Sequence, residues 1–563
     1  MTQKILESKF LTERKYISVY LISIIIISLF LKLYTVDFTL PITGDGLAYL
    51  VNAVAHVNGD FSQHPHRSTG WSFFLYPFFS LIDSDEILVY SNISRIIGMS
   101  ISLVTIPVVY SLGRKFFNEK YSLIVACLFA FEPHLNYNSG FGLTEPLYHL
   151  LTLIAFYFLF NEKSRFIIIS LVFASFVWWT RFNGITVMII ITIIYFLTQK
   201  KDFNTIRNFS IGLFIFLIII SPMLIQRADQ YGDPLYFAYS GKVFSGSYEQ
   251  LTSIQVRENP TTASEYIEQN GIFQFLENFI VNGIFNVYST LSKILFPYLI
   301  ILLPIGIFFS FRAFGQKPKF VKINWLIIIL SSLSLILTFA IVAEKRYLYY
   351  IFPFLIIFAT IPIQRFIDFG LSTFSFSNKQ KNISLFIIIF IILILSMWFT
   401  ARYDKPDLEF ENEKIEFSKF AINNLSGNMQ REMGQAFDYY SLMLIDNPKG
   451  NFKNCKVNYV SDYCGVDISQ KINRINVTGD SVEEIISLGK KYNLRYILSN
   501  EKPDSIGFHK FLDEIYFTDK NYPYLTKIFD SNDYQYKKLK FKIYEIDYDK
   551  FEEILNIKQE DKG

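Results

Sequence analysis

The feature that most constrains this chain is its repeated apolar runs, several of them long enough to cross a bilayer. A spanning helix needs about 20 mainly apolar residues. Within the 563 residues, runs of this kind cover residues 16–35, 90–112, 121–137, 143–160, 165–181, 183–199, 207–226, 288–311, 323–343, 346–366 and 382–401. The sequence therefore predicts a polytopic α-helical membrane protein with about 11 spans.

Composition agrees with spans that are interrupted by polar loops. Hydrophobic residues make up 51% of the chain, yet 18% are charged. The net charge of +3 is too small to indicate nucleic-acid binding. Four basic residues precede the first run and no small-residue cleavage site follows it, so we predict a retained first span and not a signal peptide.

Charge also predicts the orientation of the spans, because Lys and Arg collect in short cytoplasmic loops. With the N-terminus in the cytoplasm, the inner loops 113–120, 161–165, 198–207, 312–322 and 365–381 are all net basic. The first outer loop (36–89) has six acids and one Arg, and the second outer loop (227–287) has seven acids and three basic residues. This pattern predicts a multi-pass protein of the cell membrane with residues 402–563 outside the cytoplasm.

The last part of the chain has a different character, which predicts two domains. Residues 1–401 carry the spans, whereas 402–563 are charged and mix short helical and strand patterns, typical of a small α/β domain. Cys455 and Cys464 lie close together in this extracytoplasmic part, so we predict a disulfide between them.

Asp45 is the first candidate catalytic residue, in the first outer loop between Gly44 and Gly46. Glycines let the backbone approach a ligand, and a carboxylate can take the proton from an attacking hydroxyl. The alternative is a helix cap, since the following segment has helical periodicity. That amphipathic segment, 46–57, can lie flat in the membrane interface and can pack on the outer ends of the spans; the two interpretations are compatible.

A polar cluster, His64-Pro-His66-Arg67, follows in the same loop. Arg67 can pair with a phosphate, and either His can donate to a phosphate or accept from a hydroxyl. A solvated loop is the alternative. Two His at this spacing with no third ligand nearby do not predict a metal site.

Ionisable residues at the predicted outer ends of spans are the remaining candidates. Glu145 fits either a functional carboxylate or a simple helix start before Pro146. The basic residues at such ends run against the positive-inside bias, and they are Arg181, Lys293, Lys345 and Arg346. Binding a lipid phosphate accounts for them; snorkelling to headgroups is the alternative for any one of them.

Several stretches together resemble a known family. They are GDGLAYLVNAVA (44–55), HPHRSTGWSFFLYP (64–77), LTEPLYHLLTLIAFYFL (143–159), WTRFNG (179–184), YGDPLYF (231–237) and KRYLYYIFPFL (345–355). With the long first outer loop and the trailing outer domain, the chain resembles the GT-C membrane glycosyltransferases. Within them it is most similar to the protein O-mannosyltransferase and aminoarabinose-transferase branch, including the dolichyl-phosphate-mannose-type enzymes, over most of residues 16–401.

The resemblance implies a hexosyl- or pentosyltransferase that uses a polyprenyl-phosphate sugar and inverts the anomeric centre. It implies that Asp45 is the base, with Glu145 as a second carboxylate. It also implies that the basic residues at the outer ends, with Arg67, hold the donor phosphate. His64 and His66 would face the acceptor or the sugar.

Departures from the family pattern narrow these implications. Gly46 follows Asp45 where many members have Glu, and His64-Pro-His66 replaces an HPP-type string. The chain has no WWDYG-type string, which argues against transfer of whole glycans to Asn. It has no clear metal-binding DxD in its outer loops, so no cofactor is expected, although a divalent metal stays open.

Other classes of protein remain alternatives. A transporter or flippase of a lipid-linked or small polar substrate predicts mid-span charges or repeated halves, and the sequence shows few of the first and none of the second. A receptor leaves the first outer loop unexplained. The sequence leaves open the sugar transferred, the acceptor (protein, lipid or glycan) and the oligomeric state.

Overall fold

The computed structural model describes most of the chain as a helical region followed by a small sheet with helices. The residues described are 14–200, 202–238, 242–246, 251, 253–258, 261–312, 316–403, 406–430, 439, 453, 455–458, 462–463, 466–467, 472–501, 510–518 and 521–560.

Helices dominate the first 400 residues. The first ten are α1 (Arg14–Thr35), α2 (Asp45–Val57), α3 (Gly70–Phe79), α4 (Ile87–Phe116), α5 (Glu119–Ala130), α6 (Pro133–Asn138), α7 (Glu145–Leu159), α8 (Phe166–Thr180), α9 (Gly184–Thr198) and α10 (Phe203–Tyr231). The next ten are α11 (Ile254–Glu258), α12 (Ala263–Asn270), α13 (Ile272–Phe275), α14 (Asn282–Ile294), α15 (Leu299–Ser310), α16 (Pro318–Ser334), α17 (Ile336–Ile341), α18 (Phe352–Arg365), α19 (Leu371–Thr373) and α20 (Asn378–Thr400). Two 3₁₀ helices, Val243–Ser245 and Lys345–Ile351, and two π-helical turns, Leu276–Val281 and Phe366–Gly370, complete the region.

The described residues contain 5 helices long and apolar enough to cross a membrane, or 6 if one bent pair counts as a single span. The bent pair turns by 116° between Ile294 and Leu299. The predicted 11 spans are therefore not confirmed. Helices α7, α8 and α9 have 15 residues each, and at 1.5 Å per residue they reach about 22 Å, less than the roughly 30 Å of a hydrocarbon core.

Helices pack closely where small residues let their backbones approach, as in other membrane proteins. A Cβ at Gly306 of α15 would lie 2.0 Å from the carbonyl oxygen of Phe358 in α18. The continuous helical stretch that contains α18, Lys345–Thr373, is largely buried within the protein. The fold therefore holds the segment around Lys345–Ile351, where this stretch begins, against several neighbours.

Helices α2 and α3 of the first outer loop form a cluster of their own. Leu50 and Val51 of α2 are fully buried, as are Trp71 and Leu75 of α3. The amphipathic segment is a helix packed on its neighbours, as one of its two compatible interpretations predicts, and Val57 at its end is 37% exposed. The packing fixes the start of α2, where Asp45 lies.

The C-terminal part forms a mixed sheet. After α21 (Leu408–Asn424), the strands are β1 (Gly427–Gln430), β2 (Val457–Asn458), β3 (Asp462–Tyr463), β4 (Val466–Asp467), β5 (Ile472–Ile475), β6 (Leu494–Asn500), β7 (Leu525–Asp530) and β8 (Phe541–Ile546). The helices are α22 (Val482–Lys490), α23 (Lys510–Thr518) and α24 (Tyr548–Glu560). The five-stranded sheet has the order β5-β1-β6-β8-β7, with β1 parallel to β5 and β6. The predicted mixture of helices and strands is confirmed.

Hydrogen bonds connect the two parts of the chain. The amide of Asn58, just after α2, donates to the carbonyl oxygens of Lys453 and Cys455 at 2.8 and 2.9 Å. Cys455 is disulfide-bonded, whereas Cys127 is a free, buried thiol. Cys464 lies outside the described residues, so its pairing with Cys455 stays a prediction.

Candidate active site

The carboxylate of Asp45 lies between two guanidinium groups. Its Oδ1 accepts from Arg67 at 2.5 Å and its Oδ2 accepts from Arg346 at 2.9 Å. The N-cap position of α2 is Gly44, which has no side chain to cap the helix, and Asp45 is the first residue of α2. The carboxylate is thus used for ion pairs and not for capping.

The glycines beside Asp45 serve the fold of the loop. Gly44 has a φ of 62°, a left-handed conformation that favours glycine. A Cβ at Gly46 would lie 2.3 Å from Ile42 and 2.8 Å from the carbonyl oxygen of Phe141. Protein atoms therefore fill the space that a side chain at position 46 would need.

Arg346 joins this pair to a second carboxylate. Its guanidinium lies 3.7 Å from Glu145 Oε1, which also accepts from Arg181 at 2.7 Å. Glu344 pairs with Arg346 from the same segment. Glu145 Oε2 is buried and has no hydrogen-bond partner among the described residues, which leaves an unfilled acceptor inside the cluster.

Aromatic rings surround Arg181. Its guanidinium lies 5.6 Å from the centroid of Tyr148 and 5.1 Å from that of Tyr347, within cation–π range. Arg181 is the C-cap residue that follows α8, and Glu145 is the first residue of α7. Their ion pair therefore connects the end of one helix to the start of another. Both Arg181 and Arg346 pair with acids.

The backbone of the His64–Arg67 turn accepts hydrogen bonds from Arg227. Arg227 was not among the residues predicted from the sequence. Arg227 is fully buried. Its guanidinium donates to the carbonyl oxygens of His64 at 3.1 Å, Arg67 at 3.2 Å and Tyr236 at 2.6 Å. The signal was available, because Arg227 lies at the predicted outer end of a span, as Arg181 does.

The two histidines take different positions. His64 is 8% exposed, and its Nε2 lies 3.1 Å from Arg67. Its Nδ1 accepts from the backbone N–H of His66 at 3.0 Å. A neutral ring that accepts at Nδ1 carries its proton on Nε2, so His64 packs beside the guanidinium that reaches Asp45 without accepting from it, and the ring of His66 is half-buried next to it.

Two predicted phosphate ligands do not join the cluster. Lys293, at the end of α14, and Lys345 are both exposed. Within the residues described, the ion pairs of Asp45 and Glu145 come from Arg67, Arg181 and Arg346. The two lysines therefore contact neither carboxylate, and their predicted phosphate contacts stay predictions.

The arginines also set the charge of Asp45. Burial raises the pKa of its carboxyl, but the charges of Arg67 and Arg346 outweigh burial and hold that pKa below its ordinary value. Asp45 is therefore ionised at neutral pH, and its guanidinium partners oppose proton uptake.

The donor set does not fit a resident divalent cation. Such cations take several oxygen ligands, but the guanidinium of Arg346 contacts both Asp45 and Glu145. The described residues contain no group of three or more His, Cys, Asp or Glu arranged to hold a metal ion. We therefore derive no step through a metal.

No protein-family model and no curated protein sequence matches this chain. Solved structures do match it. The Archaeoglobus fulgidus oligosaccharyltransferase in its apo form is 12% identical, with a TM-score of 0.56 over 87% of this chain and 70% of that one. The same organism's AglB, in complex with an inhibitory peptide and a dolichol-phosphate, is 14% identical, with a TM-score of 0.53 over 86% and 69%.

A third match extends over nearly the whole length of both chains. ArnT from Cupriavidus metallidurans, bound to undecaprenyl phosphate, is 8% identical, with a TM-score of 0.50 over 94% of this chain and 98% of that one. The chain thus has the GT-C fold of these membrane glycosyltransferases, as its sequence motifs predict.

Proposed function

We propose that this protein is an integral membrane glycosyltransferase with Asp45 as its base. It moves a sugar from a polyprenyl-phosphate donor to an acceptor hydroxyl on the outer face and inverts the anomeric centre. Two observations support the donor class: the neighbours of the same fold that bind dolichol-phosphate and undecaprenyl phosphate, and three arginines gathered at one site. The proposal rests above all on Asp45, held between Arg67 and Arg346.

In the proposed reaction, the carboxylate of Asp45 takes the proton of the acceptor hydroxyl. The hydroxyl oxygen then attacks the anomeric carbon from the side opposite the phosphate, and the bond from that carbon to the phosphate oxygen breaks. Its electron pair leaves with the lipid phosphate. Arg67 and Arg346 stabilise the developing charge on that leaving group, which is the largest contribution a preorganised site makes.

The same two arginines link donor binding to the strength of the base. A phosphate oxygen is a strong partner for a guanidinium, so the donor competes with Asp45 for Arg67 and Arg346. As Asp45 loses these partners, its pKa rises toward the ordinary value and it becomes a better proton acceptor. The donor therefore binds before the acceptor hydroxyl reacts.

Glu145 and Arg181 complete the proposed site. Glu145 anchors Arg181 and lies beside Arg346, so it holds two cations in place without a metal. Its second carboxylate oxygen accepts a hydroxyl of the donor sugar. His64 acts as a positioning residue for Arg67 by packing beside its guanidinium, 3.1 Å from it.

The test compares Asp45→Asn with Asp85→Asn, an exposed acid of the same loop. Purified protein in liposomes receives radiolabelled polyprenyl-phosphate sugars as donors and a membrane extract as acceptor. We expect Asp45→Asn to lose activity by about 10²- to 10⁴-fold, the usual contribution of a general base, and Asp85→Asn to match the wild type. Equal activity of a folded Asp45→Asn variant would contradict the assignment of the base. Absence of turnover by the wild type with every donor would contradict the reaction class.

A further inference from the structure

A cavity of about 490 Å³ opens between the first outer loop and the start of the C-terminal part. This volume lies within the range of about 300–1,000 Å³ typical of ligand sites. Its charged lining residues are Asp37, Asp45, Arg95, Arg346, Glu411 and Lys414. The cavity therefore starts at the proposed base and extends to helix α21, which the reaction described above does not use.

Helix α21 presents a buried ion pair to this cavity. Lys414 Nζ lies 2.8 Å from Glu411 Oε1, and the two side chains are 2% and 16% exposed. The hydroxyl of Tyr439 donates to Glu411 Oε2 at 2.5 Å. A buried ion pair returns little net stability, because desolvation offsets the attraction. Stability alone therefore does not account for this pair.

The lining is balanced in charge and carries aromatic side chains. Three carboxylates, from Asp37, Asp45 and Glu411, face three cations, from Arg95, Arg346 and Lys414. Tyr137 and Phe141 line the same cavity, with their ring centroids 4.7 Å apart. Such a wall offers many donors and acceptors and apolar ring surfaces, without the excess of one sign that a charged ligand requires.

We propose that this cavity binds the acceptor, and that the acceptor is a neutral, hydroxyl-rich oligosaccharide. Glu411 and Lys414 are its specificity-determining residues: each hydrogen-bonds sugar hydroxyls while Phe141 packs against a ring face. The assignment of an acceptor, as opposed to any other sugar ligand, rests on the proposed function of Asp45. The C-terminal part then selects the substrate, and the membrane region performs the transfer.

The experiment measures binding without turnover. The full-length wild-type protein, with no donor added, is placed in lipid nanodiscs, because a maltoside detergent would itself offer sugar headgroups. Saturation-transfer NMR is recorded with four probes: a mannose tetrasaccharide, a glucose tetrasaccharide, the acidic tetragalacturonate and a Ser/Thr-rich octapeptide. We expect a neutral tetrasaccharide to bind and the other two probes not to bind.

Variants in the same background locate the site. We expect Glu411→Gln to weaken binding of the neutral tetrasaccharide at least 10-fold. Glu409→Gln is the matched control, on the same helix but 45% exposed and paired with Lys537, and it should bind as the parent does. Because Glu411→Gln alters a buried pair, Phe141→Ala, at a side chain 42% exposed, is a second variant that leaves the fold intact, and we expect at least 3-fold weaker binding.

The outcomes separate this inference from the proposed function. Binding of the peptide or of tetragalacturonate alone, binding of no probe, or equal binding by Glu411→Gln and Phe141→Ala each overturn the oligosaccharide site. None of these results affects donor turnover by the wild type, which is measured with polyprenyl-phosphate sugars. Conversely, a wild type that binds the tetrasaccharide but consumes no donor overturns the glycosyltransferase and leaves a sugar-binding cavity.

Discussion

At the scale of single residues, Arg346 combines contacts that no lysine can reproduce. Its planar guanidinium contacts Asp45, Glu145 and Glu344 at the same time. A lysine ammonium keeps the charge but lacks the fork that reaches several oxygens. We expect Arg346→Lys to lower kcat/KM for the donor by about 10- to 100-fold, the equivalent of one or two charged hydrogen bonds. Steady-state kinetics with varied donor concentration measure this.

Arg207→Lys is the control for this substitution, because Arg207 is exposed on α10 and its replacement should leave the kinetics unchanged. If Arg346→Lys retains the wild-type kcat/KM, charge alone suffices at this position. This result would contradict the proposal that the donor phosphate competes with Asp45 for Arg346.

His64 carries a prediction about pH. Burial, then the charges of Arg67, His66 and Arg227, lower the pKa of His64 well below its ordinary 6.5, and Asp45 opposes them only weakly. The unfolded chain therefore binds a proton near pH 6.5 that the folded chain does not. Stability is accordingly lost as pH falls below about 6.5, by at most about 1.4 kcal/mol per pH unit.

We expect His64→Asn, which keeps an acceptor near Nδ1, to remove this part of the acid sensitivity. Unfolding temperatures of both proteins are measured between pH 7.5 and 5. The wild type should lose more degrees over this interval than the variant, whatever their difference at pH 7.5. Parallel curves would show that His64 titrates alike in the folded and unfolded chains.

At the scale of elements, several side chains of α10 bond to the first outer loop, and Arg227 is the one that reaches the His64–Arg67 turn. The guanidinium of Arg227 supplies three hydrogen bonds, to the carbonyl oxygens of His64, Arg67 and Tyr236, which would otherwise lack this donor. A buried carbonyl without a donor costs about 1–3 kcal/mol. We expect Arg227→Gln to lower the unfolding temperature by several degrees and to raise the donor KM at least 10-fold, with a smaller change in kcat.

A positioning role for Arg227 is identified by a change in the donor KM that does not simply follow the change in unfolding temperature. Arg227→Lys, which restores the charge and one hydrogen bond, should recover part of the donor KM. Arg207→Gln on the same helix should change neither quantity. A less stable Arg227→Gln protein with the wild-type KM would mean that Arg227 serves the fold and not the site.

Local patterns predicted elements better than contacts between them. The periodicity of 46–57 predicted α2, and the mixed pattern of 402–563 predicted the helices and strands of the C-terminal part. The sequence did not reveal that Arg346 pairs with Asp45, because 301 positions separate them and only the packing of α18 brings them together. For the same reason Glu411 and Lys414 remained unnoticed.

At the scale of the whole molecule, the number of spans depends on the length of each helix as well as on its apolar composition. Helices α7, α8 and α9 are as apolar as spanning helices, but they are shorter than a bilayer core. Apolar composition predicted helices buried in protein or lipid, and it could not distinguish the two. The carboxylates and arginines nevertheless gather in one cluster, as their common placement on the predicted outer side indicates.

The orientation of the molecule is the remaining prediction, and it decides which compartment Asp45 faces. Asp85, between α3 and α4, belongs to the acidic first outer loop, whereas Lys379, in the first turn of α20, belongs to a basic inner segment; both are exposed. We expect a membrane-impermeant maleimide to label Asp85→Cys in intact cells and Lys379→Cys only after permeabilisation. The wild type supplies the background, since Cys127 is buried and Cys455 is disulfide-bonded. The opposite labelling would place the Asp45 cluster in the cytoplasm, contrary to the positive-inside distribution of its loops, and would require a donor presented on that face.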